Sequence, residues 1–361
     1  MRIVIDLRIF GTKPGGLGRY NQEFLRELVN LDQANEYILI FKEDPGLSLP
    51  NNFKIKICDC HWYSLKEQLL LPWLLYSLKA DLVHFTHFNV PILYSGNFVV
   101  TIHDLIMTKF PSRKASTRNV FLFKIKYWFY QQVIRYAVYN AKKIIAVSNF
   151  TAKDIKEYFN LTDLEAKKIK VVYEGVSTTR NNNSNSLKLP KNYFLYVGNA
   201  YPHKNLEFLM DVFKDFWKEH PEYYLFLVGQ QNYFYKNLSS KNDCLNIVMT
   251  GHLDDDELAS YYKNAKSYVF PSLYEGFGLP PLEAMSYGVP VLSSNASSLP
   301  EILGHSALYF DPHDKNDLKT KMSELTKNDD LRSKLIEAGY KQISKYSWRQ
   351  MSKEILDIYK E

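Results

Sequence analysis

Cysteine, long apolar runs and, over one stretch, acidic side chains are what this 361-residue sequence has least of. Three cysteines, with Cys58 and Cys60 one residue apart, give an odd count and no metal-ligand spacing. That argues against a disulfide framework and a zinc site and points to a reducing compartment. The longest apolar run, Leu69 to Leu78, is about half of what a bilayer span requires and contains Pro72, so no transmembrane helix is expected. Arg2 is followed at once by Ile3-Val4-Ile5, a buried first strand and not a signal peptide, and the protein is expected in the cytoplasm. Gly and Pro number only 15 each, which rules out collagenous or low-complexity chain. Between Asp104 and Asp154 there is no acidic residue, while ten basic ones occur there, among them Lys109, Arg113, Lys124, Arg135 and Lys142. An anionic ligand or surface is implied for this half, although the net charge is only +6.

With 46% hydrophobic residues, a chain of this length exceeds what one core usually holds, and two domains are expected. Short β-branched or apolar runs alternate with helix-like segments: Ile3–Asp6, Tyr37–Phe41, Lys54–Ile57, Leu82–Phe85, Phe98–Ile102, Ile144–Val147 and Ile169–Val172. A polar stretch from Ser177 to Ser186 follows, and then a second series: Tyr193–Val197, Tyr224–Val228, Ile247–Thr250, Ser267–Phe270, Val289–Ser293 and Ala307–Phe310. This pattern predicts an α/β protein of two Rossmann-like, doubly wound parallel-sheet domains facing a central cleft: residues 1–180, a linker at 181–188, and residues 189–345.

Four groups of residues could carry chemistry. Gly11 to Arg19, with Gly15, Gly16 and Gly18, follows the first strand and precedes a helix predicted over Tyr20–Val29. Its glycines permit a tight turn, and helix-start N–H groups attract an anion; a plain turn is the alternative. It is not G-x-G-x-x-G and no acidic residue ends the second strand, so a nicotinamide cofactor is not expected. His103-Asp104 ends a central strand, where the imidazole either donates to a substrate or is satisfied by nearby backbone; His84 and His87 are weaker candidates of the same kind. Gly198-Asn199 ends another strand, and Lys204 stands at the next helix start, a setting suited to a diphosphate. Glu275-Gly276-Phe277-Gly278-Leu279-Pro280-Pro281-Leu282-Glu283 sets one carboxylate in a loop and another inside a proline-opened helix. Carboxylates in such a frame accept hydrogen bonds from the hydroxyls of ribose and hexose rings.

The Glu275-x7-Glu283 signature, continued by Gly288-Val-Pro290 and Leu299-Pro-Glu301, resembles glycosyltransferase family four, the retaining "group one" transferases of the GT-B fold. The likeness runs along nearly the whole chain, through Gly15-Gly16-Leu17-Gly18, Thr101-Ile-His103-Asp104-Leu105, Ala146-Val147-Ser148, Gly198-Asn199 and Lys204-Asn205. It is nearest in pattern to mannosyltransferases that build bacterial surface polysaccharides. The resemblance implies that His103 lies near the sugar, that Glu275 contacts the donor hydroxyls and Glu283 the nucleotide ribose, and that Lys204 binds the diphosphate with N–H groups of Gly16 and Gly276 to Leu279. It also implies a base pocket bordered by Gly229 and Gly251, and a C-terminal helix, 346–361, crossing back to the first domain. His203 and Asn199 stand where the family often has arginine, with Arg19 or Arg8 as possible compensating cations, and Glu174 stands where the family commonly has Asn.

The expected reaction is retaining, front-face hexose transfer from a nucleoside diphosphate sugar, GDP-mannose first, to a glycan or polyprenyl-linked acceptor. No cofactor is expected beyond that co-substrate, and no metal, since no Asp-x-Asp pair is set to hold one at a strand end. The alternatives are a nucleotide-sugar epimerase of the same fold and a non-catalytic partner subunit. Nucleic acid is not an expected partner despite a pI near 8.8, for no recognisable module is present. The segment Asn119–Ala141 reads as a helix carrying Phe121, Phe123, Tyr127, Trp128, Phe129 and Tyr130, with Lys124, Arg135 and Lys142 within about 20° of one face. Docking on an anionic membrane surface, at the inner face of the membrane, is the expectation it raises, with a core helix whose aromatics pack on the sheet and whose edge is solvated as the alternative.

Overall fold

The β-branched runs form strands, and every pairing between them is parallel. The structure is a computed structural model that describes residues 1–11, 16–111, 120–177 and 187–361. It divides into two units, Met1–Gly175 with Ser347–Glu361, and Val176–Tyr346.

The first unit is built on β1 (Arg2–Asp6), β2 (Glu36–Phe41), β3 (Phe53–Ile57), β4 (Leu82–Phe85), β5 (Phe98–Ile102), β6 (Lys143–Ala146) and β7 (Ile169–Val171), in spatial order β3-β2-β1-β4-β5-β6-β7. Its helices include α1 (Gly16–Leu31), α2 (Leu65–Leu78), α3 (Ile106–Lys109), α4 (Val120–Asn140), α5 (Asn149–Tyr158) and α6 (Asp163–Ala166). The chain winds outward from β1 to β3 and then resumes on the other side with β4, so strand order reverses between β1 and β4. In the second unit β8 (Tyr193–Val197), β9 (Tyr224–Val228), β10 (Ile247–Gly251), β11 (Ser267–Phe270), β12 (Val291–Ser294) and β13 (Ala307–Phe310) lie in the order β10-β9-β8-β11-β12-β13. The reversal there falls between β8 and β11. Its helices are α7 (Leu206–Trp217), α8 (Tyr233–Ser240), α9 (Asp255–Asn264), α10 (Leu279–Ser286), α11 (Leu299–Leu303), α12 (Lys315–Lys327) and α13 (Asp329–Ile343), and the chain ends with α14 (Trp348–Lys360) in the first unit.

Two elements shift by more than one residue from the sequence reading. Strand β12 begins at Val291 and not at Val289, because Pro290 has no N–H to give a ladder; its carbonyl instead accepts from the Tyr268 N–H at 3.0 Å. Helix α1 starts at Gly16 and not at Tyr20, so Gly16 and Gly18 belong to its first turn and not to a loop.

Both faces of the first sheet are covered. Leu71 and Leu75 of α2, with Tyr130, Ile134 and Ala137 of α4, close one face over Val4, Ile38, Val83, Val100 and Ile102. Helices α1 and α14 take the other face: Phe24 packs edge-on to His84 at 5.6 Å, and Trp348, Met351, Ile355, Ile358 and Tyr359 line the buried stripe of α14. Ser347 caps α14 by accepting from the Gln350 N–H. The close approach of this helix requires glycine at residue 175, where a Cβ would stand 2.2 Å from the Trp348 backbone nitrogen. His84, fully buried, meets the Tyr359 hydroxyl through Nδ1 at 2.6 Å and the Thr101 hydroxyl through Nε2 at 2.9 Å. Since a hydroxyl both donates and accepts, a neutral imidazole is satisfied on each side. Burial, with the charge of His103, holds the His84 pKa down to about 3.

Replacing Tyr359 by Phe removes one partner of this buried ring. Urea unfolding of Y359F is expected to show a loss of about 1–3 kcal/mol in the first unit, and a change under a few tenths would disprove the tie.

Candidate functional site

The chemistry expected of the second unit gathers where its strand order reverses. Lys204 sits in a 3-10 turn, Pro202–Lys204, between β8 and α7, and Glu275 lies in the loop after β11. Their side chains form an ion pair at 2.5 Å, with Lys204 9% and Glu275 7% exposed. The ammonium also faces the Phe270 ring at 5.3 Å. Glu275 is held from behind: its N–H donates to the Ser297 hydroxyl at 2.9 Å, and the Ser298 hydroxyl donates to the carbonyls of Glu275 and Phe277, each at 3.0 Å. Ser297 adopts φ 55°, a left-handed conformation costly for a non-glycine residue, and in it meets the Glu275 amide. Neither serine was singled out in the sequence; a left-handed Ser leaves no mark there.

Gly276, Phe277, Gly278 and Leu279 are buried, and Gly278, at φ 105°, turns the chain into α10, where a Cβ would stand 2.8 Å from Leu299. Glu283 lies within α10 and is half-buried. Gly198 accepts from the Tyr235 hydroxyl at 2.9 Å, and Asn199 is exposed, its carbonyl taking the Tyr196 hydroxyl at 2.7 Å. His203 is buried, and burial together with Lys204 brings its pKa down to about 4, so it adds no cation at neutral pH. A surface pocket of about 230 Å³ between α7 and α12 holds Lys218, Lys315 and Lys319, all already paired with carboxylates.

In the first unit, Gly15 falls outside the described residues and Gly16 is the exposed first residue of α1. His103, 8% exposed, follows β5. Its Nδ1 lies 2.9 Å from the Glu174 carboxylate and its Nε2 lies 3.0 Å from the Thr86 carbonyl. The ring packs edge-on against Tyr20 at 4.7 Å. Glu174, Thr86 and Tyr20 come from three other parts of the chain, and spacing could not have joined them. At the reversal between β1 and β4, a cavity of about 10 Å³ is lined by Asp6, Arg8, Trp62, Thr86, His87 and Asn89. Buried there, among the described residues, are two side-chain atoms with no hydrogen-bond partner, His87 Nδ1 and Asn89 Oδ1. Arg8 is not available as a compensating cation for a diphosphate: it is buried, donates to both Asp6 oxygens at 2.8 and 2.7 Å, and pairs with Glu67 at 2.7 Å. Two carboxylates already offset its single charge.

Comparison with known proteins identifies the family and the fold. Residues 14–180 match the family model described as Glycosyltransferase Family 4, and residues 177–342 match that of Glycosyl transferases group 1. The chain belongs to these glycosyltransferases, and its two doubly wound units have the GT-B fold. It is similar to the O-antigen chain mannosyltransferase B of Escherichia coli, 26% identical over 98% of this chain and 99% of that one. It is also similar to the O-antigen chain mannosyltransferase RfbU of Salmonella typhimurium, 28% identical over 87% and 88%. Sucrose-phosphate synthase from Thermosynechococcus elongatus shares the fold, with a TM-score of 0.77 at 18% identity over 100% of this chain and 98% of that one.

A buried ion pair is costly to break from one side and cheap to replace whole. Lys204→Met is therefore expected to destabilise the second unit by about 3–5 kcal/mol and Lys204→Met/Glu275→Leu by clearly less. Denaturant unfolding of the three proteins checks this, and equal losses in both variants would contradict it.

Proposed function

We propose that this glycosyltransferase moves mannose from GDP-mannose to a hydroxyl of a glycan or polyprenyl-linked acceptor in surface-polysaccharide assembly, with the anomeric configuration retained. The observation that carries the reading is the buried Lys204–Glu275 pair at the strand reversal of the second unit. It sets a cation for diphosphate oxygens beside a carboxylate for sugar hydroxyls. The mannosyltransferase relatives, matched over most of the chain, favour mannose and a polysaccharide product.

As the bond from the anomeric carbon to the diphosphate oxygen breaks, negative charge grows on the leaving group, and Lys204 and the N–H groups of the Gly276–Leu279 turn stabilise it. The acceptor oxygen forms the new bond on the same face, and its proton passes to the departing phosphate oxygen. Glu275 orients the hexose, Glu283 takes the ribose hydroxyls, and Gly198 and Asn199 border the diphosphate. No metal takes part in this scheme.

The test uses the purified protein with GDP-mannose, UDP-glucose and UDP-N-acetylglucosamine in the presence of chelator. GDP-mannose should be consumed at least about tenfold faster than either uridine donor, a difference of about 1.4 kcal/mol in transition-state binding, to give a product of unchanged anomeric configuration. Preference for a uridine donor would refute the mannose reading; loss of turnover in chelator would refute the metal-free scheme; inversion would refute retention.

The reading includes peripheral docking of the first unit on an anionic membrane. Along one face of α2, Leu65, Leu69, Trp73 and Tyr76 are exposed, at 73%, 63%, 72% and 50%. On α4, Phe121, Trp128 and Phe129 are exposed beside Lys124 and Lys126, while Tyr130 packs in the core. Lys142 lies beyond the end of α4 at Asn140, so only Lys124 and Arg135 share its helical face. Interfacial aromatics beside lysine suit acidic headgroups, each cation adding about 1 kcal/mol near the surface. Cosedimentation should be strong with anionic liposomes, weak with neutral ones and reduced by salt and by W73S. Equal, salt-insensitive binding to both, or none to either, would end the claim.

A further inference from the structure

Two buried histidines of the first unit, His84 and His103, have opposite surroundings. His84 faces two hydroxyls and is content as a neutral ring. His103 faces a carboxylate oxygen at 2.9 Å and a backbone carbonyl at 3.0 Å, and neither a carboxylate nor a carbonyl has a proton to give. A neutral imidazole would turn a lone pair toward one of these oxygens. Hydrogen-bonding both requires a proton on Nε2 toward Thr86 and another between Nδ1 and Glu174. Histidine is the stronger base of that pair, so the second proton resides on the ring.

The other ionisable groups around the ring leave this balance in place. Tyr20 of α1 offers a ring edge, its own pKa pushed up by burial. His84 of β4 and His87 beyond it are held to pKa values of about 3 by burial and by His103, and stay neutral. Asp104, next in the chain, adds negative charge. Burial pulls the His103 pKa down, but the Glu174 hydrogen bond and charge, the Thr86 carbonyl and Asp104 outweigh it and raise it. Thr151 of α5 donates to the His103 backbone carbonyl at 3.3 Å, and the Thr86 hydroxyl donates to the Asp6 carbonyl at 2.8 Å, so the backbone that carries the ring and the segment that supplies its carbonyl partner are both anchored.

We propose that Glu174 is a positioning residue for sugar transfer: it keeps His103 doubly protonated, so that this ring serves as a hydrogen-bond donor and cation and not as the base that takes the acceptor's proton. The inference rests on His103 being a site residue of the proposed reaction. It also accounts for a carboxylate at residue 174, where an amide would leave the ring neutral.

The test reads the ring nitrogens of His103 by 15N NMR in the full-length protein, assigned with His103→Gln, and pairs this with kinetics. In the unaltered protein at about pH 7.5 both nitrogens should show protonated shifts, though a free histidine is mostly neutral there. In Glu174→Gln the side-chain amide can donate to Nδ1, so the ring should lose a proton. Turnover should then fall about tenfold with the donor KM nearly unchanged, and recover as pH is lowered toward about 5.5 and the ring recharges. Glu174→Asp should keep the protonated shifts and most of the turnover. An unprotonated nitrogen in the unaltered ring overturns the proposal even if no variant folds, and so does unchanged turnover in Glu174→Gln once its ring has lost the proton. If the unaltered protein consumed none of the three donors, the proposed function would fail by itself, while the nitrogen shifts would still decide the charge on His103.

Discussion

A parallel sheet covered on both faces leaves polar chemistry one place to stand, the ends of its strands, and both units are built under that constraint. In the first sheet Val4, Ile38, Val83 and Val100 press against α2 and α4, while the opposite face meets α1 and α14. Polar side chains therefore collect beyond the carboxyl ends: Asp6 and Arg8 after β1, Thr86, His87 and Asn89 after β4, His103 after β5, Glu174 after β7. The second sheet repeats this with Lys204 after β8 and Glu275 after β11. In each unit the densest cluster lies where the strand order reverses, because only there do adjacent loops diverge and leave a crevice.

Clustering charges at buried strand ends creates a second demand, since a buried charge needs a partner. Arg8 meets it with Asp6 and Glu67, Lys204 with Glu275, and His103 with Glu174. The histidines show how finely the partner decides the state. Hydroxyls around His84 tolerate a neutral ring; a carboxylate and a carbonyl around His103 demand a charged one. The two rings are also joined mechanically, for the Thr101 hydroxyl that meets His84 is 3.3 Å from that of Tyr20, whose ring packs on His103. Through Tyr359 the last helix of the chain enters the same network.

The apolar residues that do not serve the core tell a complementary story. Helix α2 buries Leu71 and Leu75 but turns Leu65, Leu69 and Trp73 outward. From composition alone the run Leu69–Leu78 could only be judged too short to span a bilayer. Its division into a core face and an outward face depends on where the sheet lies beneath it.

The strands were legible because a parallel, doubly covered sheet needs unbroken β-branched runs, and their ends agree with the sequence reading to within two residues. The Glu275-x7-Glu283 frame was legible because glycine and proline mark the turn and the helix start in the chain itself. The pairings were not. Glu174 reaches His103, and Lys204 reaches Glu275, across 71 residues each, and Tyr359 reaches His84 across 275. Sequence determined which side chains stand at strand ends, since that follows from local pattern. Tertiary structure alone decided which of them touch, and so which carry charge, because protonation is set by the neighbour within about 3 Å, and that neighbour is chosen by sheet order and not by chain order.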